Sequence, residues 1–344
     1  MCVVSSRASR DPSSWVGVVI PSRNRWPLLR TALASALAQE EVVRVVVVDD
    51  GSTDVTAHEL AAVTDDRLTV LRSDSPRGVS AARNRGLAHI DTRWVAFLDD
   101  DDVWGPGHIA ALLTAARTSG LTSDQIGLVY GGHLVTDAQR RVIHVKTAGP
   151  PESLPGGLRE ENLIGMPSGV LMRRDAVVRA GGFDERLAII ADWDLWARIL
   201  AEREAVRCPE LLVAYTRHPG NMHLDGDRLL RELVQLQRKH GWASGRGRHP
   251  VPGETVPSYV AGSYRASGRR LRAAMWYLRS FGARRDARDL GRAAGMLLGE
   301  RVIALSRLTR PIAVDPAVGR WLEDVRRAER DAGTGLPALH ATGA

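Results

Sequence analysis

Between residues 15 and 121, short apolar runs alternate with longer stretches whose apolar positions recur every three to four residues. Val16–Ile20, Val42–Val48, Leu68–Leu71 and Trp94–Leu98 read as strands, and Trp26–Gln39, Thr56–Val63 and Ser80–His89 as helices. In the first of these helices Leu29, Ala32, Leu33, Ala36 and Leu37 share a face. Such alternation predicts an α/β fold, a mostly parallel sheet flanked by helices with right-handed crossovers. Ligands of such sheets bind beyond the carboxyl ends of the strands. Pro21–Asn24, Asp49–Ser52 and Asp99–Asp102 all fall there, so three loops are expected to converge on one crevice.

After Ile126 the pattern changes. Val129–Val135 and Val142–Val145 read as antiparallel strands joined at Asp137, and residues 147–162, rich in Pro, Gly and Glu, as a mobile loop over the site. Asp192–Arg203 reads as a helix, Leu211–Thr216 as a closing strand, and everything from Gly226 as helical. The expected division is a disordered N-terminus over 1–14, a catalytic unit over 15–224, a helical subdomain over 225–330 and a flexible tail over 331–344.

Composition narrows the picture. The 344 residues carry a formal net charge of +7, with acidic residues gathered in the first two hundred positions and arginines in the last eighty. That balance invites a polyanionic partner, but no zinc-finger, RNA-recognition or helix-turn-helix signature accompanies it, and no nucleic-acid partner is expected. Cys2 and Cys208 form no disulfide framework, residues 1–15 hold no apolar leader core, and Arg44 interrupts the Val42–Val48 run. A bilayer span needs about 20 apolar residues. A cytoplasmic protein, at most peripheral at the inner face of a membrane, is expected.

The chemistry concentrates in Asp99-Asp-Asp-Asp102 at the end of a strand. Two unit charges about 4 Å apart repel by roughly 4 kcal/mol at an effective dielectric near 20. Such a cluster makes sense beside a hard divalent cation, which prefers oxygen ligands and substrate phosphates.

Six segments in order carry a resemblance: Val18-Val-Ile-Pro-Ser-Arg-Asn24, Val46-Val-Val-Asp-Asp-Gly-Ser-Thr-Asp54, Gly78-Val-Ser-Ala-Ala-Arg-Asn-Arg-Gly86, Phe97-Leu-Asp-Asp-Asp-Asp102, Asp192-Trp-Asp-Leu-Trp-Ala-Arg198 and Arg217-His-Pro-Gly220. Together they closely resemble the family 2 glycosyltransferases, inverting enzymes of the GT-A (Rossmann-like) fold, over roughly residues 15–220. The resemblance implies a nucleoside-diphosphate sugar donor held by Pro21, Arg23, Asp50, Arg83, Asp99 and Asp100. It implies Mn²⁺ or Mg²⁺ on Asp101 and His218, and Asp192 as the general base. Asp50 would accept hydrogen bonds from a nucleobase while Asp49 braces the loop, and Arg83 would meet the diphosphate. Two departures stand out: Asp100 occupies a position where the family usually has a small residue, and Ala191 one where many members have Glu. Asp194 is a rival base. Trp196 is expected to pack in the core, and Trp193 to offer a flat surface to an acceptor sugar.

In the C-terminal third Leu271, Ala274, Met275, Leu278 and Phe281 form one helical stripe, and Leu290, Ala294, Leu297, Leu298, Val302 and Leu305 another. These helices are expected to pack on the catalytic unit and wall the acceptor site, or to dock on anionic lipid through Arg269, Arg270 and Arg272. Neither a processive-type Gln-x-x-Arg-Trp motif nor a membrane span is present, so one sugar per event is expected. The acceptor reads as a natural product, a polysaccharide or a lipid-linked glycan. Two alternatives are a nucleotidyltransferase, disfavoured by the lack of glycine in Pro21–Asn24, and a non-catalytic nucleotide-sugar-binding module.

Overall fold

The computed structural model describes residues 15–242, 256–298, 314–333 and 335–339. The expected disordered segment 1–14, the stripe positions Val302 and Leu305, and the end of the tail lie outside them.

The first half alternates as expected: β1 (Val16–Ser22), α1 (Trp26–Leu37), β2 (Val42–Asp49), α2 (Thr56–Ala61), β3 (Leu68–Arg72), α3 (Val79–Leu87), β4 (Trp94–Phe97), β5 (Val103–Trp104) and α4 (His108–Thr118). Then come β6 (Ile126–Gly131), β7 (His133–Thr136), β8 (Val142–Lys146), α5 (Leu154–Gly157), β9 (Val170–Arg173), α6 (Arg174–Arg179), α7 (Ala191–Ile199), β10 (Glu204–Cys208) and β11 (Val213–Thr216). Helices α8 (Gly226–His240), α9 (Val256–Ala266), α10 (Arg270–Arg284), α11 (Ala287–Leu298) and α12 (Pro316–Asp331) follow.

Among the described residues, seven strands form the main sheet in the order β10-β6-β9-β4-β1-β2-β3, and four form a second sheet in the order β5-β11-β7-β8. The main sheet is parallel except at β9, which runs antiparallel to both β4 and β6. It is covered on both faces. Val18 and Ile20 of β1 join one core with α1 and α4, whereas Val19 joins the other with α3, α7 and the helices α8 to α11. Burial on both faces explains why these strands read as unbroken apolar runs. Helix α3 lies so close to β1 that a Cβ on Gly86 would sit 2.3 Å from Val19 Cγ1.

Three sequence expectations need correction. Val129–Val135 is two strands, β6 in the main sheet and β7 in the second. The chain crosses between sheets at Gly132, where a Cβ would lie 2.5 Å from the Lys146 carbonyl oxygen, so any side chain there would force the backbone to shift. Residues 147–162 are not a bare loop: they contain α5, and Leu154 and Leu158 are buried in the main core. The buried face of α10 consists of Ala273, Ala274, Trp276, Tyr277 and Ser280, so the stripe Leu271, Met275 and Leu278 points outward, with Leu271 76% exposed. The two large aromatic rings take the packed positions and turn the leucines to the surface. Strands β9 and β10 had no counterpart in the sequence reading.

Helix α12 packs Trp321, Leu322 and Val325 against Leu134 and Ala214 of the second sheet. Its Glu329 also pairs at 2.8 Å with buried Arg140, which hydrogen-bonds Thr216 Oγ1 beneath the acidic cluster. No helix among the described residues is long and apolar enough to cross a membrane.

Candidate active site

Strands β4, β1 and β2 are neighbours, so the loops after them meet at one sheet edge as expected. Asn24, in the left-handed backbone region at φ 54°, ties two of these loops together by accepting from the Thr53 N–H at 2.7 Å. Asp49 is fully buried and accepts from the Ser52 N–H at 2.8 Å, bracing its loop. Asp50 accepts from the N–H groups of Arg77 and Gly78, each at 2.8 Å, and so holds the loop before α3 while lining the crevice. A carboxylate has about four acceptor sites, so both oxygens keep capacity for a ligand.

This crevice, about 450 Å³, is lined by Pro21, Arg23, Asp50, Asp99, Asp100 and Asp101. A second cavity of about 400 Å³ shares Asp99 and Asp101 with it and adds Arg83 and Asp192. Eight of the nine residues assigned from the sequence therefore line one or other of two adjoining cavities. The ninth, His218, places its Nε2 2.9 Å from Asp101 Oδ2.

The four aspartates have four different surroundings. Asp99 pairs with Arg83, which is 3% exposed, lies in the second turn of α3 and stacks over Phe183 at 5.0 Å. Asp100 accepts from Ser22 Oγ at 2.7 Å and Arg25 Nη1 at 3.1 Å; burial and the neighbouring Asp101 charge push it up to about 7. Asp101 meets Arg25 at 3.1 Å, His218 at 2.9 Å and Asn221 Nδ2 at 3.3 Å. Asp102 is fully buried and accepts from Ser168 Oγ at 2.6 Å and the Thr216 N–H at 3.2 Å; burial pushes it well above the usual carboxylate range. Its role is to weld β11 and Ser168 to the acidic loop.

Arg25 was missed by sequence reasoning. Its Nη1 spans Asp100 and Asp101, and its Nη2 donates to the Gly220 carbonyl at 2.7 Å. The only local signal was its place directly after Pro21–Asn24. As a metal site, the Asp101 and His218 atoms are of the right chemistry, one oxygen and one borderline nitrogen. Among the described residues no group of three His, Cys, Asp or Glu side chains forms a ready cage. The set fits a cation that takes its remaining ligands from phosphates and water.

Asp192 sits in the first turn of α7, with Ile190 as the cap, so it is not the helix N-cap. Asn162 Nδ2 donates to its Oδ2 at 3.1 Å, and the Trp193 N–H to its Oδ1 at 2.8 Å. Burial raises it to about 6, opposed by the Trp193 hydrogen bond and the Arg83 charge. A second missed residue sets this helix. Buried Glu232 of α8 accepts the N–H groups of Ala188, Ile189 and Ile190 at 3.1, 2.8 and 3.2 Å, fixing the turn that delivers Asp192. Asp194, the rival base, is fully buried in pairs with Arg198, Lys239 and His240, which hold it down at about 2 against the pull of burial. It does not line the cavity. Trp196 is core, as expected. Trp193 is also core, 2% exposed with its indole N–H on the Leu158 carbonyl, so it forms the wall behind Asp192 rather than an open platform.

This mostly parallel sheet flanked by helices, with an acidic loop at the ends of its central strands, has the GT-A fold. Residues 17–179 match glycosyl transferase family 2, so the chain carries a glycosyltransferase domain of that family. The succinoglycan biosynthesis protein ExoU of Rhizobium meliloti is 29% identical over 341 residues, spanning 95% of this chain and 92% of that one. The pre-mycofactocin glycosyltransferase of Mycobacterium tuberculosis is 30% identical over 316 residues; these span 87% of this chain and 60% of that protein. Among solved structures, the mannosyltransferase PcManGT of Pyrobaculum calidifontis, in complex with GDP-Man and Mn²⁺, shares the fold at a TM-score of 0.51 and 21% identity. The likeness covers 93% of this chain and 88% of that one.

Proposed function

We propose that the protein moves one sugar, with inversion, from a nucleoside-diphosphate sugar to a hydroxyl of a growing polysaccharide or lipid-linked glycan. The observation that carries this reading is the meeting of two cavities at Asp99 and Asp101, with Asp192 on the wall of the second. The first takes the nucleotide, with Asp50 facing the base and Arg23 and Arg25 supplying positive charge, while Arg83 meets the diphosphate from the second. Asp101 and His218 would hold a divalent cation, which offsets negative charge on the leaving diphosphate. Asp192 removes the acceptor proton as that oxygen attacks the anomeric carbon, and the electrons of the breaking C–O bond leave with the diphosphate. Asn162 holds the carboxylate in place for this transfer. The names of ExoU and PcManGT support the glycan acceptor and the sugar-nucleotide donor respectively.

The surface of the helical third supports a peripheral membrane contact. Leu271, Met275 and Leu278 of α10, and Leu290, Leu297 and Leu298 of α11, are all exposed. Arg269 and Arg272 are tied to Asp227, so the leucines rather than these arginines would meet lipid.

Mass-spectrometric assay of donor hydrolysis across UDP- and GDP-sugars, with and without Mn²⁺, tests the first reading. One donor turned over only with metal is expected; no turnover or binding of any would overturn it. Flotation with anionic vesicles tests the second, and binding that survives Leu271→Asp with Leu298→Asp would remove the leucines from it.

A further inference from the structure

The second sheet has two unlike faces. Leu134, Val145 and Ala214 point to α12. Side chains alternate along a strand, and cross-strand partners share a face. The register pairs His133 with Lys146, Val135 with His144, and Tyr215 with Val135. Arg217 continues that face two residues on, its N–H still bonded to the Thr136 carbonyl at 2.8 Å. All six residues line the Asp192 cavity.

This face has fixed positive charge without matching carboxylates. Lys146 donates only to the Asn162 carbonyl, at 3.2 Å, and neither it nor Arg217 has an ion-pair partner among the described residues. The cavity's carboxylates are Asp99, Asp101 and Asp192 of the reaction site, together with Glu161 next to Asn162. Tyr215 stands between imidazoles, its hydroxyl 3.1 Å from His223 Nδ1 and its ring 6.3 Å from that of His133. Burial lowers His133 to about 3 and His223 to about 4, so both are neutral rings and the charge is that of Lys146 and Arg217.

We infer that this face is the acceptor subsite and that it recognises an acceptor bearing an anionic group, a phosphate or a carboxylate, through Lys146 and Arg217. The inference rests on the donor and base assignments above and adds the acceptor's chemical class. Tyr215 offers a ring for the sugar face, and the anion lies across the floor from Asp192. A neutral glycan would leave two cations facing an empty cavity wall, whereas a charged one replaces their lost water with charge-assisted hydrogen bonds.

The test uses the full chain with Mn²⁺ and with UDP or GDP, whichever the donor screen selects, held at saturation so that the donor crevice is filled. Ligand-observed NMR titrations then compare methyl glucoside, glucose 1-phosphate and methyl glucuronide. At least one anionic probe is expected to bind about tenfold tighter than the neutral glucoside. Lys146→Met with Arg217→Met should erase that gap while leaving the glucoside affinity within about twofold. Lys146→Met alone, the milder change, should halve the gap on a logarithmic scale. The better of the two anions identifies phosphate or carboxylate as the source. Equal affinity for charged and neutral probes in the wild-type chain, or a gap that survives both methionines, overturns the inference. Failure to bind either nucleotide would instead strike the donor assignment, a separate measurement.

Discussion

The crevice we assign to the donor and the cavity we assign to the acceptor share two aspartates yet are built differently. The donor side is the carboxyl edge of neighbouring parallel strands, and its key groups sit at or immediately after strand ends: Asp50, Asp99, Asp100. The acceptor side is assembled from a second sheet, the 147–162 segment, the start of α7 and α9, whose Val256 and Tyr259 close it. One is made by consecutive local units and the other by distant pieces that meet only after folding. A crevice of the first kind suits a ligand common to many enzymes, and a cavity of the second kind can be rebuilt around a particular acceptor.

If that division holds, variants on the two sides should separate donor binding from transfer. The largest effect is expected for Asp192→Asn: turnover falls about 10²–10⁴-fold while nucleotide affinity, read by calorimetry, stays within about twofold. Equal loss of both would place Asp192 on the donor side. Asp101→Ala should lower metal-dependent nucleotide affinity by more than the roughly 10–100-fold that loss of a ligand's supporting partner costs. Since Asp101 borders both cavities, transfer falls with it. The pH profile sharpens the contrast. Asp192 acts as a base only when deprotonated, and burial puts it at about 6, so kcat/KM should decline tenfold per unit as pH falls below that value. A decline centred near 4 would mean that the carboxylate is solvated in the working enzyme. The smallest effect is expected for Gly132→Ala, where the new Cβ meets the Lys146 carbonyl at 2.5 Å. It should cost about 1–3 kcal/mol of stability. By shifting the floor of the acceptor cavity it should also raise acceptor KM and leave donor KM unchanged, as steady-state kinetics with each substrate varied would show.

The same contrast explains what could be read from the chain. Strands β1 to β4 and helices α1 to α3 were legible because each is a local periodic signal, and their order implied the sheet edge where the carboxylates meet. Arg25 and Glu232 were not legible. Arg25 acts on residues 75 and 76 positions away, and Glu232 on backbone groups 42 to 44 positions away; no pattern near either announces its partner. The outward leucines of α10 were misjudged because periodicity marks an apolar stripe without saying which stripe faces the core. Here Trp276 and Tyr277 took the inward positions.

By itself, the sequence determined the alternation of strand and helix and the acidic loop at a strand end, and it nominated candidates for holding a nucleotide and a cation, since these depend on neighbours in the chain. Only the tertiary structure decided that Asp194 is tied up by Arg198, Lys239 and His240 while Asp192 faces the cavity, although the two lie on one helix two residues apart. It alone placed Lys146 and Arg217 on the same floor. A side chain's charge is local, but its use is set by what packing brings within a few ångströms, and burial magnifies that interaction as water is removed.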